Sequence, residues 1–258
     1  MFIEVPRGVG QFPPELESYK GDKIIRKFTT PVVPPRFFWR NPTLRFEYME
    51  EPPSRWTYCG VEYELHGTVL LVRHTFRKNI VLCVPDIYRS YITEVFIEEG
   101  FTEIANFAFI SCPKLNRVII PNSVITIGVG AFAHCTSLTA ADLPPKLSYL
   151  GASCFEDTGI LDVDIPETII RIGERCYNDC ILLHSLHLPD TQPILGNNCF
   201  AGCTSLKAVS IPTTWSRLSD GMFERSGLIN INIPIPIRQC GYRAIPSATK
   251  INGGIANV

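Results

Sequence analysis

The fold is decided by a stretch that recurs along the chain, Leu195-Gly196-Asn197-Asn198-Cys199-Phe200-Ala201-Gly202-Cys203-Thr204-Ser205-Leu206. An earlier copy reads Ile127-Gly128-Val129-Gly130-Ala131-Phe132-Ala133-His134-Cys135-Thr136-Ser137-Leu138. Six copies carry an aromatic in one slot, at intervals of 22 or 23 residues: Phe109, Phe132, Phe155, Tyr177, Phe200 and Phe223. Ile245 takes that slot in a seventh copy. A small residue stands four positions earlier: Ala105, Gly128, Gly151, Gly173, Gly196, Ser219 and Gly241.

An apolar triplet with spacing i, i+3, i+5 follows each aromatic, and a proline follows it in most copies. Examples are Leu115, Val118 and Ile120 before Pro121, and Leu206, Val209 and Ile211 before Pro212. Side-chain alternation puts the last two members on one face of a short strand, which the proline ends. This spacing at a fixed period of 20–29 residues is the signature of a leucine-rich-repeat solenoid. The sequence therefore predicts a right-handed α/β-type repeat solenoid of about seven coils, mostly short parallel β-strands and irregular turns.

The two quoted stretches resemble the repeat of the BspA-like leucine-rich family, as does the lead-in Ile97-Glu98-Glu99-Gly100-Phe101-Thr102-Glu103-Ile104. The resemblance covers about residues 92–257. It implies a non-enzymatic adhesion or interaction protein, common in bacteria and unicellular eukaryotes. It brings no catalytic residue with it, because the family motif has none.

Three regions are expected. Residues 1–58 hold nine prolines, which disfavour helix and central strand, yet aromatics are interleaved with them: Phe28, Phe37, Phe38, Trp39, Phe46, Tyr48 and Trp56. This composition predicts an extended arm that docks by its aromatics. Residues 59–91 should form a β-hairpin cap, in which residues 69–72 pair with residues 80–84. Residues 92–258 are the repeats, with a degenerate capping copy at the end.

Bulk composition excludes several classes. With 24 basic and 25 acidic residues the net charge is −1, so nothing global favours nucleic acid or an acidic membrane surface. No run of eighteen apolar residues predicts a membrane span. The first ten residues lack the pattern of a secretory signal, so we expect a cytoplasmic protein, with the cell surface as the alternative.

The ten cysteines fall mainly into repeat slots. Four follow the aromatic by three positions (Cys112, Cys135, Cys180 and Cys203) and three directly precede it (Cys154, Cys176 and Cys199). Other copies hold alanine, serine, threonine or methionine there. Slots filled mostly by small residues indicate packing, since free cysteine behaves as a small buried hydrophobe. We therefore expect reduced thiols and neither zinc nor disulfides.

Outward strand residues should form two columns on the concave face of the solenoid, where such proteins commonly bind partners. Phe96 and Ile119 form a small apolar patch there, with Arg117 beside it. A cover by the chain's own arm is the alternative to a partner. Four further residues on successive coils converge as a hydrated acidic patch or, less simply, a divalent cation site: Asp142, Asp162, Asp164 and His187.

The arm carries the second candidate surface, Arg36-Phe37-Phe38-Trp39-Arg40, with Arg45-Phe46 beyond it. Arginines interleaved with aromatic residues can bind single-stranded nucleic acid or anchor the chain to a protein partner. The nearly neutral net charge favours the protein partner. The sequence contains no G-x-S-x-G, P-loop or H-E-x-x-H motif, so no catalytic residue, cofactor or metal is predicted. These observations together predict a scaffold or structural subunit of a multi-subunit intracellular assembly, with a surface adhesin as the alternative.

Overall fold

A computed structural model describes residues 24–26, 45–47, 55–58, 61–73, 80–81, 84–235 and 237–253. The N-terminal elements are β1 Ile24–Arg26, β2 Arg45–Glu47, β3 Arg55–Tyr58, β4 Val61–His66, β5 Val69–Arg73, β6 Ile80–Val81 and the single-turn helix α1 Asp86–Arg89. The repeats contain two alternating series of strands. The first series is β7 Glu94–Ile97, β9 Arg117–Ile119, β11 Ala140–Ala141, β13 Asp162–Asp164, β15 Ser185–His187, β17 Ala208–Ser210, β19 Asn230–Ile233 and β21 Lys250–Gly253. The second series is β8 Glu103–Ile104, β10 Thr126–Ile127, β12 Tyr149–Leu150, β14 Arg171–Ile172, β16 Ile194–Leu195, β18 Arg217–Leu218 and β20 Gln239–Cys240.

Each coil contributes one strand to each series, and most neighbouring strands of a series pair in parallel. The exceptions are β11 and β13, β15 and β17, and β16 and β18. In the first series Val95 lies opposite Val118, and in the second Ile127 lies opposite Leu150. The solenoid predicted from the sequence is thus confirmed, as parallel strands in about seven turns with almost no helix. The outward residues of the first series form a surface that we call the strand face. Those of the second series, with the residue that precedes each strand, form the second face.

The core is a continuous column of stacked rings. Neighbouring centroids from Phe109 to Phe223 are 5.2 to 5.9 Å apart, and all six rings are buried. The small slot permits this close stacking. A Cβ built on Gly173 would lie 2.3 Å from the backbone nitrogen of Ala152 in the previous coil, and Gly173 does not have a positive φ. Glycine is therefore required here for close approach of two backbones rather than for a left-handed backbone angle.

Left-handed backbone occurs instead two residues before and two residues after the aromatic. The residues concerned have φ between 52° and 72°: Phe107, Gly130, Ser153, Arg175, Asn198, Gly221 and Arg243 before it, and Ser111, His134, Asp157, Asp179, Gly202 and Arg225 after it. A non-glycine residue in this region costs roughly 1–2 kcal/mol. Most copies accept that cost, which is offset by the hydrogen bonds that tie each aromatic turn to the next one, such as Phe132 N to Cys154 O at 2.9 Å.

The cap pairs differently from the sequence expectation. Residues 69–72 do not pair with residues 80–84. Strand β5 pairs antiparallel with β4 and parallel with β7, whereas β6 pairs with β8 in the other ladder. The reason is local: Gly67, at φ +64°, and Thr68 make the two-residue connection that favours a hairpin between β4 and β5. Strand β3 adds to β4, and its Trp56 ring stacks on Tyr63 and Tyr88. The domain boundaries at residues 58 and 91 stay predictions.

Candidate functional site

Three apolar residues lie side by side on the strand face. Leu71 of β5 is in register with Phe96 of β7, which is in register with Ile119 of β9. Leu71 and Phe96 are half-buried and Ile119 is exposed. Phe96 and Ile119 were expected here from the outward column, but Leu71 was not, because the sequence did not reveal that β5 joins this ladder. The three form a row that we call the apolar row.

Charges border the apolar row. Arg117 is exposed and lies in register between Glu94 and Ala140. On the cap side, the Glu64 carboxylate is 3.0 Å from the Arg73 guanidinium and 3.8 Å from that of Arg55. An apolar centre with a solvated charged rim is the usual anatomy of a protein interface.

The predicted acidic patch lies further along the strand face. Asp164 is in register with His187, and both are exposed, as are Asp142 and Asp162. His184 Nδ1 is 3.4 Å from Asp162 Oδ1, a pairing that the sequence columns did not include because His184 precedes its strand. Across the part of the chain that the structure describes, no group of three or more His, Cys, Asp and Glu is placed to hold a metal ion. The arrangement is a solvated acidic surface.

The arm residues chosen from the sequence lie outside the described residues: Phe37, Phe38, Trp39 and Arg40. Their role as a docking anchor stays a prediction, and so does the reading of residues 36–45 as a nucleic-acid contact. In the described ranges, no helix has the length and apolarity needed to cross a membrane.

The buried cysteines serve the core rather than chemistry. The thiols of Cys135, Cys180 and Cys203 each donate to the carbonyl oxygen of the aromatic in the preceding coil, at 3.1, 3.1 and 3.3 Å. Burial raises the pKa of Cys180 and of Cys199 to about 12. A thiol held protonated is a poor nucleophile and a poor metal ligand. The slot therefore holds a small residue that can also donate a weak hydrogen bond. In the third coil Thr158 fills it and donates instead to the aromatic of its own coil, at 2.9 Å from Phe155 O.

Comparisons with known proteins agree with this architecture. The model of the BspA type leucine-rich repeat region matches residues 87–184 and 171–252, as six copies. No curated protein matches the sequence. A leucine-rich repeat protein from Bacteroides ovatus ATCC 8483 is 24% identical, with a TM-score of 0.56; the similarity covers 72% of this chain and 61% of that one.

Two further solved structures are more distant. A leucine-rich repeat protein from Eubacterium ventriosum ATCC 27560 is 18% identical, with a TM-score of 0.45, covering 70% of this chain and 66% of that one. A T. pallidum leucine-rich repeat protein is 19% identical, with a TM-score of 0.37, covering 74% and 82%. The chain spans about three fifths of the length of the B. ovatus protein. At this identity the B. ovatus match supports the fold alone.

Proposed function

The chain belongs to the BspA-type leucine-rich repeat family, and we propose that it is a non-enzymatic module that binds a protein partner through the strand face and the N-terminal arm. The family and its fold are generally non-enzymatic. The observation that carries the proposal is the apolar row. Three aligned apolar side chains that face solvent on the strand surface of a solenoid are typical of a binding site for another protein.

The apolar row has the composition of an interface anchor. Phe96 is the largest of its three side chains, lies in the middle and is already half-buried by its neighbours, so little rotamer entropy remains to be lost on binding. Arg117 and Glu94 at the rim would orient a partner more than they would add affinity. The arm, with Phe37, Phe38, Trp39 and Arg40, would supply a second anchor of the aromatic and arginine type that dominates interfaces.

A scaffold or structural subunit of a larger intracellular assembly is the setting we favour. Its support is the thiol column, because Cys135, Cys180 and Cys203 make their hydrogen bonds only as reduced thiols. Reduced thiols persist in a reducing compartment. The second candidate is a surface adhesin, favoured by the resemblance to a family whose members are often surface-associated.

A quantitative co-purification from the native cell tests the proposal. The wild-type chain is compared with Phe96→Asp, which places a charge in the apolar row, and with the matched control Ile229→Asp, whose side chain is 58% exposed away from it. We expect partners identified by mass spectrometry to be depleted at least about tenfold by Phe96→Asp only. Equal recovery with both variants would contradict the strand face as the binding surface. Recovery from a surface fraction rather than a cytoplasmic one would favour the adhesin.

A further inference from the structure

The second face carries an apolar stripe of its own. Ile125 and Ile170, which directly precede β10 and β14, are 43% and 64% exposed, and Ile194 of β16 is 50% exposed. They follow one another across the ladder: Ser148 N donates to Ile125 O, Ile170 N to Ser148 O and Ile194 N to Ile170 O, at 2.8 to 2.9 Å. Ile170 and Ile194 lie on adjacent coils, and Ser148 of the intervening coil separates Ile170 from Ile125. We call these three exposed isoleucines the isoleucine stripe.

Three arginines on the same face are without a carboxylate within 4.0 Å among the described residues: Arg171, Arg217 and Arg238. The arginines near the aromatic turns differ, since Arg175 and Arg243 each pair with a carboxylate of the preceding coil and Arg225 pairs with Asp179, two coils earlier. Glu103 of β8 lies on the second face, Glu174 and Asp220 flank it, and Asp220 already accepts a hydrogen bond from Tyr242 N at 2.8 Å. The arginines of the second face are thus available to carboxylates from outside the chain.

The isoleucine stripe ends at a break in the ladder. Strand β16 pairs with β14 and β18 with β20, but β16 and β18 are not paired with each other. Gly196 N donates to Ile172 O at 2.8 Å and Gly241 N to Leu218 O at 3.0 Å, while the equivalent bond from Ser219 N to Leu195 O is missing. The ring stack also opens here, since Phe200 and Phe223 are 5.9 Å apart and tilted by 19°.

One residue explains the break. Gln192 occupies the slot that is apolar and buried in other coils, for example Ile169 and Trp215. Its side-chain oxygen accepts from Ser216 N at 2.8 Å and its nitrogen donates to Arg217 O at 3.1 Å, replacing ladder bonds. A cavity of about 300 Å³ results, lined by Gln192, Asn197, Arg217, Ser219, Asp220 and Gln239 among others. This volume lies at the lower end of the usual range for ligand pockets.

We propose that the second face binds an acidic polypeptide segment, with its aliphatic side chains on the isoleucine stripe and one of its carboxylates in the cavity beside Arg217. Charge complementarity selects this occupant, because a guanidinium without an ionic partner gains most from a carboxylate that it can bind in a bidentate manner. The missing bond leaves the Ser219 N–H without its ladder acceptor, and a carboxylate can accept from it. This surface is separate from the strand face and would let one chain hold two partners.

Peptide selection tests the proposal on the full chain. Random peptides of about twelve residues are selected by display on the wild-type protein, and the affinity of each recovered peptide is measured by fluorescence anisotropy. We expect peptides that combine Asp or Glu with aliphatic residues. Ile170→Asp and Arg217→Glu should each weaken their binding at least about tenfold. The controls Ile229→Asp and Lys114→Glu, the latter an exposed cation outside both strand series, should weaken it less than about twofold. Circular dichroism melting establishes that all four variants remain folded.

Several outcomes would overturn it. They are failure to recover any peptide, recovery of neutral or basic peptides only, and equal weakening by the controls. Peptides that lose binding with Phe96→Asp but not with Arg217→Glu would belong to the strand face and count against this site while supporting the proposed function. Sedimentation showing a dimer abolished by Ile170→Asp would make the occupant a second copy. Binding of phosphatidylserine vesicles that Arg217→Glu abolishes would make it a membrane surface.

Discussion

At the scale of single residues, the buried thiols link packing to pH. Cys180 and Cys199 have pKa values raised from an ordinary value of 9.0 to about 12 by burial, whereas in the unfolded chain they ionise near 9. The unfolded state therefore loses protons first as the pH rises. A group whose pKa is higher in the folded than in the unfolded state contributes its full stabilisation of the folded state below the unfolded-state pKa. This contribution is lost as the pH rises from the unfolded-state pKa toward the folded-state pKa.

We predict that the free energy of unfolding falls between pH 8 and pH 10 by roughly 1 kcal/mol for each of these two thiols. In the double variant Cys180→Thr, Cys199→Ala the free energy of unfolding should fall less steeply with pH, because both thiols are gone. Thr158 and Ala131 already fill the same slots in other coils, so these substitutions should fit. Urea unfolding at a series of pH values measures both. Identical pH dependence of wild type and double variant would show that these thiols are not buried in the folded protein.

Ser153 holds a left-handed backbone at φ 52° without being glycine. Replacing it by glycine removes the steric cost of the Cβ but adds entropy to the unfolded chain. We predict that Ser153→Gly stabilises by up to about 1 kcal/mol in urea unfolding. The control Ser137→Gly, at an exposed position outside the left-handed set, should destabilise the protein. A loss of stability at Ser153 as large as that at Ser137 would contradict the assigned backbone conformation.

The residue types in the repeat slots predicted only part of the backbone conformation. The recurrence of glycine in the small slot indicated a tight approach or a special backbone angle, and only the position of Ala152 N next to Gly173 decides between them. The positions with left-handed backbone could not be predicted, because they are occupied by residues as different as Arg175, Asp157 and Phe107. Their conformation follows from hydrogen bonds between coils, which sequence spacing does not show.

At the scale of elements, the ring column makes each coil depend on its neighbours. Phe155 stacks on Phe132 at 5.3 Å and on Tyr177 at 5.2 Å and is fully buried. We predict that Phe155→Ala costs about 3–5 kcal/mol in the free energy of unfolding, the usual range for truncating a core aromatic. Tyr91→Ala, at a ring that is mostly exposed, should change stability by less than about 0.5 kcal/mol. Similar losses at the two positions would mean that the column is not the core.

The strand pattern was predictable and the pairing of the cap was not. Alternation in residues such as Arg117-Val118-Ile119 identifies the buried central side chain from the sequence. Strand β5 is apolar from Val69 to Val72 and fits either neighbour, so Gly67 and Thr68, rather than hydrophobicity, set its partner. The same ambiguity concealed Leu71 from the candidate site, although Phe96 and Ile119 were found.

At the scale of the whole molecule, the arm decides how many surfaces are free. If residues 1–54, the arm before β3, bind in trans, their amides in the isolated protein should exchange with deuterium quickly and gain protection in the native assembly, because ordering is deferred until contact. Trp39→Ala should then weaken association by about 2 kcal/mol while leaving the melting temperature almost unchanged. Hydrogen exchange with mass spectrometry measures the first effect. Protection of the arm in the isolated chain equal to that of the repeats would make it an internal cover for the strand face.

The break at Gln192 belongs to this scale too. The period of 22 or 23 residues passes through Phe200 and Phe223 without interruption, so the sequence predicts one uniform array. One polar residue in an apolar slot, Gln192, coincides with the break in the second ladder, while the rings of Phe200 and Phe223 remain stacked at a wider spacing of 5.9 Å. The repeat period predicts the number of coils. The stability of each interface between neighbouring coils depends on individual side chains, which the period does not describe.

When force is applied to its two ends, the solenoid should unfold in steps, one coil at a time. Each released coil frees 22 or 23 residues, roughly 75 Å of extended chain at about 3.4 Å per residue. Because the coils contact mainly their neighbours, tension is carried in series and the weakest joint yields first. Neighbouring strands are also unpaired at β11–β13 and β15–β17, but the joint between Phe200 and Phe223 combines the unpaired β16 and β18 with the widest ring spacing of the column. We therefore expect this joint to rupture first, which would release the last two coils before the central coils unfold.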